Sequence, residues 1–418
     1  MDLLLAFTIT LLAISAVAIR FRISPFFTLV GGAIFYGILT GLPPDQLMST
    51  VIGGLGKIFG LFAIVILSGA VIAKILEEQG QVAEIVSDIK GYVRNRATLT
   101  GISAYILALP VACSITAFII LEPVIRNLEK GGQSYKALLY IAAIGSLISF
   151  TLIYPTPVTI PLIESLSGDI SPLYYDGVAI SLSLLLLAGI IILYQRGITG
   201  SGMTGNEAPV ESREKSFHPR AWAPFFAIIL AIPVGSIIGL SVSSLIQVIM
   251  LTGALTAIII ASPSARSAGL HQGAKHAGVI IFDICGAGAL AAVILESGFA
   301  EAALGGITGI IPVLFAPFVF AVLIQTAQGS RVVTAVITAG ILAKSQITVE
   351  FHPVALILMI VAGSFIFSYV TDPFFWIIRH STDDGLGTVV RRYTLPLAAL
   401  GVIIFCVALA FQMLMGSG

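Results

Sequence analysis

The sequence predicts an all-α polytopic membrane protein built from two related halves whose helices are interrupted. Three observations predict it. The chain is 57% hydrophobic and only 10% charged, with a mean hydropathy of +1.06; a soluble globular chain carries about 25% charged residues. Apolar stretches long enough to cross a bilayer, roughly 20 residues each, recur along the 418 residues, giving about 11–13 membrane segments. Finally, the chain echoes itself at an offset of 218 residues: Ser68–Gly80 lines up with Gly286–Gly298, Thr116-Ala117 with Thr334-Ala335, Gly145-Ser146 with Gly363-Ser364, and Pro155 with Pro373. A duplicated hydrophobic chain broken by Gly and Pro is the signature of a secondary transporter, whose site forms where broken helices of the two halves meet.

The expected spans run 2–19, 23–42, 58–77, 98–128 (broken), 135–163 (broken) and 174–195. The second half continues with 221–240, 243–262, 275–296, 302–322, 326–346 (broken), 351–378 (broken) and 393–415. Residues 196–220, rich in Gly, Pro, Ser and charge, read as a polar linker. The expected organisation is therefore a first repeat over 1–195, the linker 196–220, and a second repeat over 221–418. Residues 81–96 alternate apolar and charged positions at helical spacing, which fits an interfacial amphipathic helix. Met1–Ile19 lacks a basic leading region and reads as the first span rather than a signal peptide.

Several function classes are excluded by composition. A formal net charge of zero argues against a nucleic-acid partner. Cys113, Cys285 and Cys406 are scattered without metal-ligand or disulfide spacing, so no cofactor is expected. The spans hold no HExxH, DDxxD or GxSG setting, so an enzyme is not expected either.

Chemistry concentrates at the interruptions. Residues 326–335 (TAQGSRVVTA) turn abruptly from polar to apolar inside hydrophobic sequence; at membrane depth such a turn must be buried in protein or line a wet cavity. Gln328, Gly329, Ser330 and Arg331 are candidate substrate ligands. Gly329 lets backbone approach a ligand, Ser330 can cap the following helix, and that helix's N-terminus suits a carboxylate. Arg331 is a cation in an apolar run, which by default marks function; the plainer account is that it snorkels or pairs with Asp283 or Asp372. In the first half the corresponding stretch, 109–116, contributes Ser114 and Thr116, with Thr156 from the YPTPVT run at 154–159. Ser and Thr there also fit ordinary helix kinks. Thr371 and Asp372, just before Pro373, are candidates for ion coupling, since Pro frees a backbone carbonyl beside a carboxylate; Asp372 equally suits the cap of a half-helix. Asp283 precedes a small-residue run in which Gly286 and Gly288 are read as packing positions.

Three second-half blocks, ICGAGALAAVILESG (284–298), TAQGSRVVTAVITAGI (326–341) and HPVALILMIVAGSFIFSYVTDPFFW (352–376), resemble the gluconate permease (GntP) family of the ion transporter superfamily. LPVACSITAFIILEP (109–123) and YPTPVT match it more loosely. The resemblance implies two inverted-topology repeats with re-entrant hairpins and a homodimer in a prokaryotic plasma membrane. It also implies elevator-type symport of a small organic anion, such as gluconate or another hydroxy acid, with H⁺ or Na⁺. The alternative is a cation/proton antiporter of the same superfamily. Where that family carries an acidic residue in the first hairpin this chain has Ser114, and the His of its HPGP run is Tyr154. Arg331 stands where a small residue follows GQGS, and Tyr369 and Thr371 replace the His and Asn before the retained Asp372.

Overall fold

The computed structural model describes residues 2–21, 24–93, 95–128, 132–168, 170–199, 217–240, 242–299, 302, 311–343, 345, 350–369 and 371–415. Among them there is no strand. Most of the linker therefore lies outside the described residues. In chain order the first half contributes α1 Leu3–Phe21, α2 Pro25–Thr40, α3 Pro44–Glu78, α4 Gln81–Lys90, α5 Arg96–Val111, α6 Ser114–Leu128, α7 Gly132–Leu152, α8 Thr159–Leu166 and α9 Pro172–Thr199. The second contributes α10 Pro219–Ile237, α11 Val242–Ile260 and α12 Pro263–Glu296, then α13 Ala316–Gln328 after a 3₁₀ turn at Val313–Phe315. α14 Arg331–Ala343, α15 Pro353–Ile366, α16 Pro373–Thr382, α17 Leu386–Val389 and α18 Leu395–Met415 complete it, with a π turn over Val390–Thr394 joining the last two.

All four expected interruptions are present, and each has a local cause. Ala112, in the left-handed region at φ 51°, ends α5. Pro155 and Pro157 keep 153–158 out of helix between α7 and α8. Gly329, at φ 66°, ends α13. The segment before Pro373 is unwound because the residue ahead of a proline is pushed out of the helical region. The third break falls at the start of its expected span, so Ala316–Gln328 and Arg331–Ala343 form the arms of that hairpin.

Two expectations change in length. Spans expected over 58–77 and 275–296 are in fact helices of 35 and 34 residues. A hydropathy window finds only the apolar part of each; the polar flanks stay helical because Pro44 and Pro263 start them and Ser262 caps the second through the Ala265 N–H. α3 and α12 run antiparallel against each other as the centre of the molecule. Lipid gives apolar side chains little reason to cluster, so close backbone approach must hold the pair. At their crossing, a Cβ added to Gly54 would lie 2.5 Å from the Gly288 carbonyl oxygen. α2 and α11 flank the pair, α5 packs on α7, and α13 and α18 pack on α15.

The amphipathic segment is α4, outside the apolar spans, and its one buried carboxylate clasps the second half. Asp88 accepts from the His218 backbone N–H (3.0 Å) and Trp222 Nε1 (2.9 Å), and is 2.7 Å from His218 Nδ1. Burial alone would raise the Asp88 carboxyl, but these donors outweigh it and hold it below its ordinary value. The bond to Asp88 raises the His218 imidazole. The histidine's contribution is thus complete below its unfolded value of about 6.5 and is lost as pH rises through the higher folded value. The aspartate's is complete above about 3.9 and is lost as pH falls through the lowered one. In a Trp376→Phe background Trp222 is the sole tryptophan. Its emission should move to the red as pH rises above the ordinary imidazole range and the clasp loosens, and His218→Gln should flatten that profile.

Candidate functional site

A cavity of about 740 Å³ lies among the interruptions. Four helices begin at its wall: Pro25 of α2, Ser114 of α6, Arg331 of α14 and Pro373 of α16. A helix N-terminus presents unsatisfied N–H groups and about half a positive charge, so each is a potential carboxylate site.

Two of the four are already occupied by the protein's own carboxylates. Asp283, from α12, reaches α2: Ser24 Oγ donates to its Oδ1 at 3.0 Å and the Phe26 N–H at 3.1 Å. Asp372 caps α16, its Oδ1 accepting from the Phe374 N–H at 2.9 Å. The other two are open. No side chain among the described residues accepts from the N–H groups of Ser114 and Ile115. On α14, Ser330 Oγ takes only the Val333 N–H, at 3.4 Å. Both open termini belong to hairpin tips.

Arg331, the first residue of α14, lines the same cavity and is 5% exposed. Its Nη1 donates to Asp372 Oδ2 at 3.3 Å, Nη2 donates to Ser368 Oγ, and the guanidinium lies 5.7 Å from the Phe365 ring centre. Its Nε has no partner among the described residues. Tyr393 OH donates to Asp372 Oδ2 at 3.2 Å, so both carboxylate oxygens are engaged. This tight arrangement needs Gly329: the hairpin tip crosses the unwound segment so closely that an added Cβ would overlap the Thr371 carbonyl and lie 2.6 Å from the Asp372 nitrogen. Thr371 Oγ1 ties the crossing by donating to the Thr326 carbonyl at 3.1 Å.

Of the residues proposed from sequence, Ser114, Gly329, Ser330, Arg331, Thr371 and Asp372 line this one cavity. Thr116 does not; it is hydrogen-bonded to His276 Nε2 at 2.7 Å, joining α6 to α12. Thr156 is buried against Thr159, 3.1 Å between hydroxyls, and props the α7–α8 break, while its neighbour Pro157 reaches the cavity. The side chain of Gln328 lies outside the described residues. Asp283, not among the residues proposed for the site, is a cavity residue, and Trp376 joins it there. Asp283's charge inside an apolar span was the available signal; its partners lie 257 and 259 residues away in the chain. The first-half break also has an unforeseen carboxylate: Asp176 of α9 accepts from the Tyr154 N–H at 2.9 Å. No cluster of three or more metal-type ligands occurs among the described residues.

The family model for GntP family permeases matches residues 2–415. A gluconate permease of Zymomonas mobilis is 27% identical over 94% of both chains. A high-affinity gluconate transporter of Escherichia coli is 24% identical over 90% of this chain and 92% of its own. An uncharacterised permease of Haemophilus influenzae is 26% identical over 86% of this chain and 82% of its own. Among solved structures, the YdaH transporter of Alcanivorax borkumensis shares the fold, with a TM-score of 0.63 at 13% identity over 90% of each chain. The MtrF efflux pump of Neisseria gonorrhoeae does so at a TM-score of 0.61 and 12% identity, over 95% of this chain and 97% of that one. With the match spanning essentially the whole chain and its apolar helices built to cross a bilayer, this protein belongs to the GntP family of permeases and is a multi-pass protein of the prokaryotic plasma membrane.

Proposed function

We propose that the chain is a secondary active symporter that carries one small organic anion, a sugar acid or another hydroxy acid, together with H⁺ or Na⁺. The observation that carries this reading is the pair of open helix N-termini, α6 and α14, facing one cavity beside the Arg331 guanidinium. Ser114, Ser330, the Gly329 backbone and Gln328 complete the candidate substrate set. Relatives named as gluconate transporters and, at 21% identity, a D-serine transporter of Escherichia coli agree with a small carboxylate as cargo.

Coupling follows from exchange of partners. A substrate carboxylate arriving at Arg331 competes with Asp372 for the same guanidinium, and a buried carboxylate deprived of its cation is costly. A proton or Na⁺ arriving at Asp372, with Thr371 beside it, removes that cost. Anion and cation therefore bind best together, which is the requirement for symport.

Two inverted repeats, 1–195 and 221–418, give this site its symmetry. Several observations support them. Shifted by 218, α3 falls on 262–296, where α12 spans Pro263–Glu296, and α6 falls on 332–346, where α14 spans Arg331–Ala343. α2 packs on α12 as α11 packs on α3. Exchanging residues for their mates carries the Gly54–Ala289 contact onto Gln272–Val71, one residue from the observed Gly273–Val71. The braces of the breaks are mates too: Tyr175 OH donates to the Leu152 carbonyl (2.8 Å) and Tyr393 OH to Asp372. An elevator-type movement of the hairpin-bearing helices against α3 and α12, and a homodimer, rest on the family resemblance.

The test is uptake by reconstituted proteoliposomes of labelled gluconate, lactate, glycerate and small dicarboxylates, with an imposed pH gradient, a Na⁺ gradient, or neither. Saturable accumulation driven by one gradient is the expected result. If no acid moves while Na⁺ collapses the pH gradient, the chain is an antiporter.

A further inference from the structure

If the cavity holds an organic anion as proposed above, its charges also limit how many carboxylates that anion can bear. The cavity wall carries three charged groups among the described residues: Arg331, Asp372 and Asp283. Arg331 and Asp372 neutralise each other. Among the described residues Asp283 has no cation; its Oδ1 takes the Ser24 hydroxyl and the Phe26 N–H, and its Oδ2 has no protein donor. The four helix N-termini tell the same story: two are open to substrate, one is closed by Asp372, and the α2 terminus is closed by Asp283. A second carboxylate that reaches past the two hairpin tips to the α2 terminus meets the carboxylate the protein has already put there.

We propose that Asp283 is a specificity-determining residue that restricts the cavity to monocarboxylates. It stands in for a second substrate carboxylate. A dianion reaching across from the open hairpin tips meets a fixed like charge on an already occupied helix terminus, and like charges juxtaposed in a site reject the wrong partner strongly. A monoacid carrying hydroxyls meets instead an acceptor, because Oδ2 can receive a hydrogen bond from a hydroxyl at the far end of the substrate. The carboxylate that repels one class thus helps to orient the other.

Matched pairs differing by a single terminal carboxylate separate this idea from its parent. Gluconate against glucarate and glycerate against tartronate would be compared by thermal stabilisation of the purified transporter and by uptake into proteoliposomes. The wild type should take the monoacid of at least one pair and reject the diacid by about tenfold or more, the scale of one close like-charge contact in a partly wet site. Asp283→Asn, whose Oδ1 still accepts from Ser24 and Phe26, should cut that ratio at least about tenfold. Asp283→Ser, which keeps a capping oxygen at α2, serves as the second variant should the first not fold, and Asp283→Glu should retain the discrimination. A ratio unchanged in both neutral variants, or a wild type that takes both acids of a pair equally, overturns the assignment of Asp283 while leaving the anion site intact. A wild type that takes neither acid of either pair, but is stabilised by Na⁺ or protons alone, overturns the anion reading and this inference with it.

Discussion

Arg331→Ala is expected to abolish uptake and to destabilise the protein together, whereas removing both members of the pair should spare the fold. Arg331 and Asp372 are 5% and 2% exposed. Breaking a buried pair from one side leaves an uncompensated charge, at about 3–5 kcal/mol. Asp372→Ala should cost a similar amount and also strip the cap from α16, worth about 1 kcal/mol. Replacing both, as Arg331→Met with Asp372→Asn, is expected to recover most of the lost thermal stability, because neither charge is then buried alone and Asn still caps the helix. Transport should not recover, since the guanidinium that holds the substrate is gone. Thermal unfolding in detergent and uptake, measured on the two single variants and the double, check both halves of the claim. Additive losses of stability would mean that the two residues do not act as a pair.

Gly329→Ala is the second large effect. The residue lies at φ 66° and its missing side chain is the space through which the hairpin tip crosses the Thr371–Asp372 backbone. A methyl group there incurs the left-handed penalty of roughly 1–2 kcal/mol and also forces two backbone segments apart. Because these segments carry Arg331 and Asp372, the expected result is loss of transport out of proportion to loss of stability. Gly41→Ala is the control: φ is 82°, yet nothing lies within 4 Å of the added carbon, so only the backbone penalty applies and uptake should persist. Equal transport by both variants would separate the crossing from function.

Three of the four interruptions were legible in residues that locally forbid helix: Pro155 and Pro157, Gly329, and Pro373; the first ends at Ala112, which does not. Arg331 was legible because a cation in an apolar run stands out whatever surrounds it. The Arg331 partner was narrowed to Asp283 or Asp372, and Asp372 holds it; other partners could not be read. Nothing local distinguishes the Asp283 that closes α2 from an aspartate pointing into a helix interface, and nothing near Tyr154 announces that Asp176 will receive its N–H. These contacts are set by how distant helices pack, and such packing leaves no periodic trace in either segment. The lengths of α3 and α12 were hidden for a different reason. Hydropathy reports the part of a helix that lipid covers, while helix persistence is decided by caps and the absence of breakers.

Those two lengths have a consequence for the membrane itself. A 35-residue helix is about 52 Å long at 1.5 Å per residue, against roughly 30 Å of hydrocarbon. The pair is antiparallel, so the charged end of α3, with Lys74, Glu77 and Glu78, lies beside the polar start of α12, where Gln272 donates to Glu78. Exposed Ser267, His271 and Lys275 continue the polar stretch of α12 beside that same end of α3. Upright helices would carry these groups far beyond the lipid; leaning ones would draw water down to meet them. In the leaning case the bilayer around this protein is not a uniform slab. A solute would then have less hydrophobic thickness to cross than the lipid far from the protein presents.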